Sequence, residues 1–350
     1  MTVTPLGLPS VSRVSTPAPA DGPLIDTFGR IATDLRVSLT DRCNLRCTYC
    51  MPAEGLDWMP QTQVLTSQEL IRLLRIAVTR LGITTVRFTG GEPLLMKQLE
   101  EVVSATAALT PRPEMAMTTN GLGLHRRAAG LAKAGLNRVN VSLDSVDAAH
   151  FAAITRRDRL DDVLAGLAAA KAAGLGPIKV NAVLDAVTGR DDVVPLLRFC
   201  LEHGYQLRII EQMPLDAGHQ WKRGEVLTAA EILTILRGHF TLAPDPRPRG
   251  SAPAELWQVD GGPATVGVIA SVSQAFCAAC DRSRLTADGQ VRNCLFATSE
   301  TDLRALLRGG ADDDAIEAAW RAAMWSKAAG HGINDPGFVQ PDRPMSAIGG

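Results

Sequence analysis

The chain has 350 residues, 46% of them hydrophobic, enough to bury the core of one large barrel with an extension or of two domains. A formal net charge of −1 and an aromatic content of 4% exclude a basic, base-stacking surface for nucleic acid, so any anionic ligand must be held by a local group of Arg and Lys. Of the 7 cysteines, all but Cys200 fall into two tight groups of three; that is no disulfide framework and points to metal binding in a reducing, cytoplasmic compartment.

Residues 1–23 are rich in Pro, Ser, Thr, Val and Ala, lack the charged start and apolar block of a secretory signal, and read as a disordered lead-in. No stretch is long and apolar enough to span a membrane. Residues 34–40 alternate Leu35, Val37 and Leu39 with Arg36, Ser38 and Thr40, a strand with one apolar and one polar face that runs into the first cysteine group. Thr66 and Glu69 make a capping-box pair ahead of Leu70, Ile71, Leu73, Leu74, Ala77, Val78 and Leu81, and Gly82 ends that helix. The unit recurs, with strands over 85–89, 114–118, 138–143, 178–184 and 206–212 and helical stretches to about Leu109 and over 124–134, 160–173 and 191–203.

Strands alternating with helices require right-handed crossovers and a parallel sheet. Six such units predict an α/β fold, an incomplete (β/α)6 TIM-type barrel, with a doubly wound open sheet as the alternative. Either fold expects a site at the C-terminal ends of the strands. The cysteine loop, Gly90-Gly91-Glu92-Pro93, Thr119-Asn120-Gly121 and Asp144 all lie at such ends. Residues 244–253, rich in Pro, Arg and Gly, read as a linker. The barrel is then expected over 24–244, and a C-terminal domain that closes its mouth over 245–350. That domain has strands over 256–259 and 265–269, Ala-rich helices near 301–308 and 313–327, and an irregular end in Gly349-Gly350.

Cys43, Cys47 and Cys50 offer three thiolates in one loop. A structural zinc wants four ligands, whereas a four-iron cluster on three cysteines keeps one iron open for a small molecule. Tyr49 beside them can pack on an adenine, and Gly90 and Gly91 let a ligand approach the backbone. Cys277-Ala-Ala-Cys280 with Cys294 forms a second set of three, read as a second cluster or as zinc completed by His239 or His331. Arg282 and Arg284 place two fork-shaped donors next to it. Arg36, Arg87 and Lys179 lie on strand faces with Ser38, Thr89 and Asn181. Charges pointing into a barrel need a partner, either an anionic ligand or one of Asp144, Glu92 and Glu211. Cys200 sits in an apolar helical pattern and reads as a small core residue. No Ser/His/Asp set, phosphate-binding loop or dinucleotide fingerprint is present, so hydrolysis and phosphoryl transfer have no machinery.

The spacing of the first cysteine group is that of the radical S-adenosylmethionine (SAM) enzymes, which the chain resembles. The run Asp-Leu-Arg-x-Ser-x-Thr-Asp-Arg-Cys-Asn-x-Arg-Cys-x-Tyr-Cys-Met-Pro over 34–52 narrows this. With 87–93, 118–121, 140–144, 179–181, 277–284, Cys294 and Gly349-Gly350, it is similar to the molybdenum cofactor biosynthesis protein A family, the GTP 3′,8-cyclases. The similarity covers residues 24–350. It implies two [4Fe–4S] clusters, one on Cys43, Cys47 and Cys50 that binds SAM, one on Cys277, Cys280 and Cys294 that binds substrate. It implies SAM contacts from Tyr49, Gly91, Ser142 and Met213, and GTP contacts from Arg36, Arg87, Thr118, Lys179, Arg282, Ser283 and Arg284, that of Ser283 being at most a backbone contact. The implied reaction is that of a lyase: a 5′-deoxyadenosyl radical takes the ribose 3′ hydrogen of GTP, and the ribose radical attacks guanine C8. The product is (8S)-3′,8-cyclo-7,8-dihydroguanosine 5′-triphosphate, in the first step of molybdenum cofactor biosynthesis. Implied partners are a reductant protein such as flavodoxin or ferredoxin and a downstream cyclic pyranopterin monophosphate synthase; a homodimer stays open. Another radical SAM enzyme with an auxiliary cluster and a non-catalytic zinc-binding module are the competing readings.

Overall fold

The computed structural model describes residues 16–350, so most of the expected lead-in, residues 1–15, lies outside the described residues. Strand β1 (Asp34–Ser38) buries Leu35 and Val37 on its outer face. It ends two residues before the alternation does, because the Thr40 carbonyl turns to accept from Gly91 N at 2.7 Å. The capping box forms as expected: Thr66 Oγ1 accepts from Glu69 N at 3.2 Å and the Glu69 carboxylate from Thr66 N at 2.8 Å. It starts α1 (Ser67–Thr79), which buries Leu70, Leu73, Leu74 and Ala77. The chain continues through β2 (Thr85–Thr89), α2 (Leu99–Ala107), β3 (Glu114–Thr119), α3 (Leu124–Ala134) and β4 (Arg138–Ser142). Then come α4 (Ala148–Thr155), α5 (Leu160–Ala172), β5 (Lys179–Leu184), α6 (Val193–His203) and β6 (Gln206–Glu211). Gly135 and Gly204 end α3 and α6 in the left-handed region, at φ 109° and 71°, as a residue without Cβ can.

After β6 come α7 (Ala229–Arg237), β7 (Leu242–Pro244), β8 (Glu255–Val259), β9 (Thr265–Ile269), β10 (Arg282–Leu285) and β11 (Gln290–Arg292). The described chain closes with β12 (Thr301–Asp302), α8 (Leu303–Arg308), α9 (Asp313–Trp325) and α10 (Met345–Ile348).

All strands join one sheet in the order β12-β11-β10-β1-β2-β3-β4-β5-β6-β9-β8-β7. Strands β1 to β6 are consecutive and parallel, which is the (β/α)6 arc; the reversal of order that a doubly wound sheet needs is not there. Two further strands run parallel to this arc, β10 against β1 and β9 against β6. Their outer neighbours β11 and β8 are antiparallel, so the barrel stays open between β9 and β10. The residues after Pro244 therefore extend both edges of the barrel sheet, and the boundary expected at 244 cuts the antiparallel pair β7 and β8.

The outward faces of the arc and the inner faces of the helices form one apolar core, including Phe88, Val86, Val139, Val180 and Leu207. Residues 16–23, read from sequence as part of a disordered lead-in, lie against α9. Trp325 Nε1 donates to Thr16 O at 2.8 Å and the Arg321 guanidinium to Gly22 O at 2.9 Å.

Candidate active site

Alternation across each strand sends the other face into the arc. The parallel registers set Arg36 beside Arg87 and Arg284, Thr118 beside Asn140, Asn140 beside Lys179, and Asn181 beside Arg208. Burial, then each other's charge, lowers these cations: Arg36 to about 9, Lys179 to about 7, Arg284 well below its usual value. Arg208, which the sequence reading passed over, is likewise lowered to about 10 by burial and then by Arg138. Burial opposes ionisation of Asp34, but Arg36, Arg87, Arg282 and Arg284 hold its carboxyl below the usual range, and it lies 3.6 Å from Arg87.

The carboxylates proposed as partners for the inward cations are engaged elsewhere. Asp144 accepts from Tyr49 OH and Val183 N, both at 2.8 Å. Glu92 accepts from Leu94 N at 2.9 Å and from Thr119 Oγ1 and Asn120 N at 2.7 Å. Glu211 accepts from Ala229 N, Val272 N and Ser273 N, each at 2.8 Å. Full burial pushes Asp144 up to about 6 and Glu92 to about 7. Among the described residues, Arg36 Nε, Arg87 Nε, Arg208 Nε, Arg138 Nη1, Asn140 Oδ1 and Asn181 Oδ1 are buried with no hydrogen-bond partner. A group of cations with spare donors and one nearby carboxylate is a site built for an anion.

The same cavity is lined by all six grouped cysteines. Cys43, Cys47 and Cys50 follow the C-terminal end of β1. Cys277 and Cys280 precede β10, which starts level with Asp34, so they sit at the N-terminal ends of the strands. Cys294 follows β11, which runs back in that direction. The two sulfur groups thus flank the strands from opposite ends, with roughly 13 Å of β1 between them. Within the C-terminal region expected to close the mouth, the second sulfur group therefore lies at the far end of the barrel. What reaches the mouth is α10 and the residues after it. Ser346 and Gly350 line the cavity, the Ser346 amide donates to the Cys50 sulfur, and Gly349 O accepts from Arg284 Nη1. Gly349 has φ 89°, and a Cβ there would stand 2.8 Å from Thr89 Cγ2, so only glycine fits.

Burial raises the thiols of Cys43, Cys47 and Cys277, and that of Cys50 to about 12. For Cys280 burial is outweighed by Arg282 and Lys327, and its thiol is lowered. Among the described residues no three His, Cys, Asp or Glu side chains converge on a point as ligands of a single ion. Three thiolates that each take a different iron need no such convergence, and each sulfur set has the donors for a cluster with one iron left open. His331, one of the two histidines considered for zinc, lines the cavity beside Cys277.

Tyr49, Gly91, Ser142 and Met213 line this cavity, as do Arg36, Arg87, Thr118, Arg282 and Arg284. Lys179 shares the inner face of β5 with Asn181, two residues nearer the strand's start, among Arg208, Arg138 and Arg87. Ser283 differs in that only its backbone is available to the cavity side. Between two inward arginines it faces outward, fully buried, its Oγ accepting from Trp320 Nε1 at 3.2 Å. Gly91 has a reason beyond ligand access: a Cβ would lie 2.3 Å from Arg42 O, where the turn packs on the base of the cysteine loop. Arg208 was legible in principle, since Gln206, Leu207, Arg208 and Ile209 alternate as 34–40 does.

A family model described as Radical SAM superfamily matches residues 37–200, and one described as Molybdenum Cofactor Synthesis C matches residues 205–333. The chain is a radical SAM enzyme. It is 79% identical to the GTP 3′,8-cyclase of Mycobacterium sp. (strain KMS) and 75% identical to that of Mycolicibacterium smegmatis (strain ATCC 700084 / mc(2)155), covering 100% of both chains in each case. The chain belongs to the GTP 3′,8-cyclase family. Among solved structures it is similar to the coproporphyrinogen III oxidase of Escherichia coli, at a TM-score of 0.44 and 14% identity over 60% of this chain and 51% of that one. Among the described residues no helix is long and apolar enough to cross a membrane.

Proposed function

We propose that this chain converts GTP to its 3′,8-cyclised triphosphate, with Cys43, Cys47 and Cys50 holding a SAM-binding [4Fe–4S] cluster and Cys277, Cys280 and Cys294 holding a second. The observation that carries the reading is one cavity lined by both sulfur groups, with Arg36, Arg87, Arg208, Arg282 and Arg284 between them. A [4Fe–4S] cluster held by the three thiolates at each end would have one iron without a protein ligand, which would be available to the amino-acid end of SAM at the first and to the guanine edge at the second. When bound, SAM and its cluster supply one-electron cleavage and hydrogen-atom abstraction, chemistry that none of these side chains performs.

The chain's own residues bind, orient and enclose. Arg36, Arg87, Lys179 and Arg208 surround the triphosphate with fork and point donors, and the buried Nε atoms of the three arginines lack other partners. Thr118 and Asn140, on neighbouring strands, offer hydroxyl and amide groups to the GTP ribose, and Ser142 at the end of β4 offers its hydroxyl to SAM. Gly349 and Gly350 lie over the mouth, and Ile348 anchors them in a small apolar cluster with Leu215, Val272 and Phe296. A carbon radical reacts with whatever is nearest, so a dry chamber that fixes the 3′ carbon relative to C8 decides the product. A reductant protein such as flavodoxin or ferredoxin delivers the electron, and a cyclic pyranopterin monophosphate synthase takes the product.

Anaerobically reconstituted protein, given SAM, dithionite and GTP, tests the reading. About eight irons per chain, 5′-deoxyadenosine and a cyclised GTP product are expected. About four irons would remove the second cluster, and zinc without iron would remove both.

Lys179 gives binding a pH signature. Burial, then Arg208, Arg138 and Arg87, lowers its ammonium to about 7 before an anion arrives. A triphosphate alongside restores the charged form, so binding takes up a proton at higher pH and GTP affinity falls as the pH rises above about 7. In Lys179→Met the affinity is lower at pH 7 and this slope disappears in equilibrium titrations. A slope equal to that of the parent would assign the effect to another group.

A further inference from the structure

We propose that Lys327 is a positioning residue of the second cluster. Its cation pairs with the Cys280 sulfur and fixes the loop that carries Cys277 and Cys280, and so sets that cluster's reduction potential and its hold on iron. The inference rests on the reading that Cys277, Cys280 and Cys294 hold a cluster.

Lys327 lies just past α9 and is 4% exposed. Its ammonium has three N–H donors, and the structure supplies three acceptors: Cys280 Sγ at 3.3 Å, Cys280 O at 3.2 Å and Arg282 O at 3.0 Å. No donor is left over for a substrate, which makes this a residue that acts through others. A buried ammonium needs a counter-charge. Among the described residues no carboxylate forms an ion pair with Lys327, so the sulfur is the group that can supply it. The two carbonyls then tie the cysteine to the first residue of β10, giving a cluster ligand and the guanidinium of Arg282 one shared anchor.

A second arginine fixes the register from the other side. Arg30, ion-paired with Asp26 at 2.6 Å, donates to Cys277 O at 2.9 Å, Ala328 O at 2.6 Å and Ala329 O at 2.8 Å. One guanidinium thus joins the Cys277 loop to the residues directly after Lys327. The His331 amide donates to the Cys277 sulfur and that of Arg282 to the Cys280 sulfur. The first sulfur group is built differently. Its Cys43 sulfur meets Leu45 N at 3.5 Å and Asn120 Nδ2 at 3.8 Å, and among the described residues no Lys or Arg side chain hydrogen-bonds a sulfur there. A cationic donor on a thiolate favours the electron-rich, reduced state of a cluster and strengthens the ligand's hold, as partners behind metal ligands do.

The experiment compares the parent with Lys327→Gln, which keeps a donor without the charge, and Lys327→Arg, which keeps both. Iron and sulfide content, an EPR-monitored redox titration and the rate of iron loss to a chelator are read on anaerobically reconstituted protein. The expected result for Lys327→Gln is a second cluster with a more negative potential and about tenfold faster iron loss, the first cluster being unchanged. Lys327→Arg moves both readings less. Equal potential and equal iron retention in Lys327→Gln would overturn the inference. A parent that carries only about four irons would overturn the two-cluster reading instead, and the two failures are told apart by that count. Where Lys327→Gln loads no second cluster, a Lys327→Arg protein that loads one at the parental potential upholds the role, and one that is equally empty overturns it.

Discussion

Cys277→Ala is expected to cut formation of the cyclised product by at least about a hundredfold, while SAM cleavage stays measurable. The loss removes one of three thiolates at the N-terminal ends of the strands, and the second cluster cannot be kept on two. Iron falls from about eight to about four per chain. The first sulfur group does not depend on that end of the barrel. Its loop is held by Arg46 N on Thr155 O and Thr48 N on Ile154 O, both at 3.0 Å, and by Met51 N on Cys47 O at 3.1 Å. Deoxyadenosine then accumulates without product, because the nucleotide has lost the contact that presents its ribose. Chromatography of both compounds from one reaction checks this, and cyclised product at the parental rate would end the assignment of the second cluster to substrate.

Glu211→Ala is expected to have the largest effect on stability of any single change outside the apolar core, about 3–5 kcal/mol. Glu211 is 0% exposed and ends β6. Its carboxylate takes the first N–H of α7, the N–H groups of Val272 and Ser273 beyond β9, and the Ser273 hydroxyl. Alanine leaves the Ala229 and Val272 N–H groups buried and unpaired, too deep for water to replace the carboxylate, and strips the exposed Ser273 of the acceptor that holds its amide and hydroxyl. The damage also reaches the site, since Met213 lies two residues after Glu211 and the 271–277 segment leads from β9 to Cys277. A fall in the urea midpoint, together with weakened binding of SAM, is the measurement. A midpoint within experimental error of the parent would show that the three backbone groups find other acceptors.

The six βα units were legible because each carried its own punctuation: the Thr66–Glu69 box, Gly135 and Gly204 at helix ends, and strands with a consistent inward polar face. Helix α4 was not, because Ala148–Thr155 is apolar almost all round and so shows no period. Helix α7 carried a second capping box, Thr228 with Glu231, identical in kind to the first, and could have been placed from it. Strand β10 was hidden by function. In Arg282-Ser283-Arg284-Leu285 the residues that face the barrel interior are the charged ones, the reverse of what a buried strand leads one to expect. The cysteines and the arginines next to them were readable from spacing. The opposite-ended placement of the two sulfur groups was not, because it depends on which way β10 runs beside β1. Lys327 carried no signal at all, since the sulfur it meets is distant in sequence and no motif relates them.

The pairing of β1 with β10 has a consequence for how the chain comes into being. Thr33 and Asp281, 248 residues apart, hydrogen-bond at the start of these strands. During synthesis at roughly 5–20 residues per second, β1 therefore waits on the order of 10–50 s for its neighbour. Over that interval the nascent barrel has its first thiolates and no partner strand beside them, an edge that offers free N–H and C=O groups to other chains. High contact order of this kind makes folding slow, and it makes the last closure a single late event. A ribosome-bound chain that stops short of β10 holds the first sulfur group without the strand beside β1, and the one cavity that both sulfur groups line is complete only after Cys294 has been made.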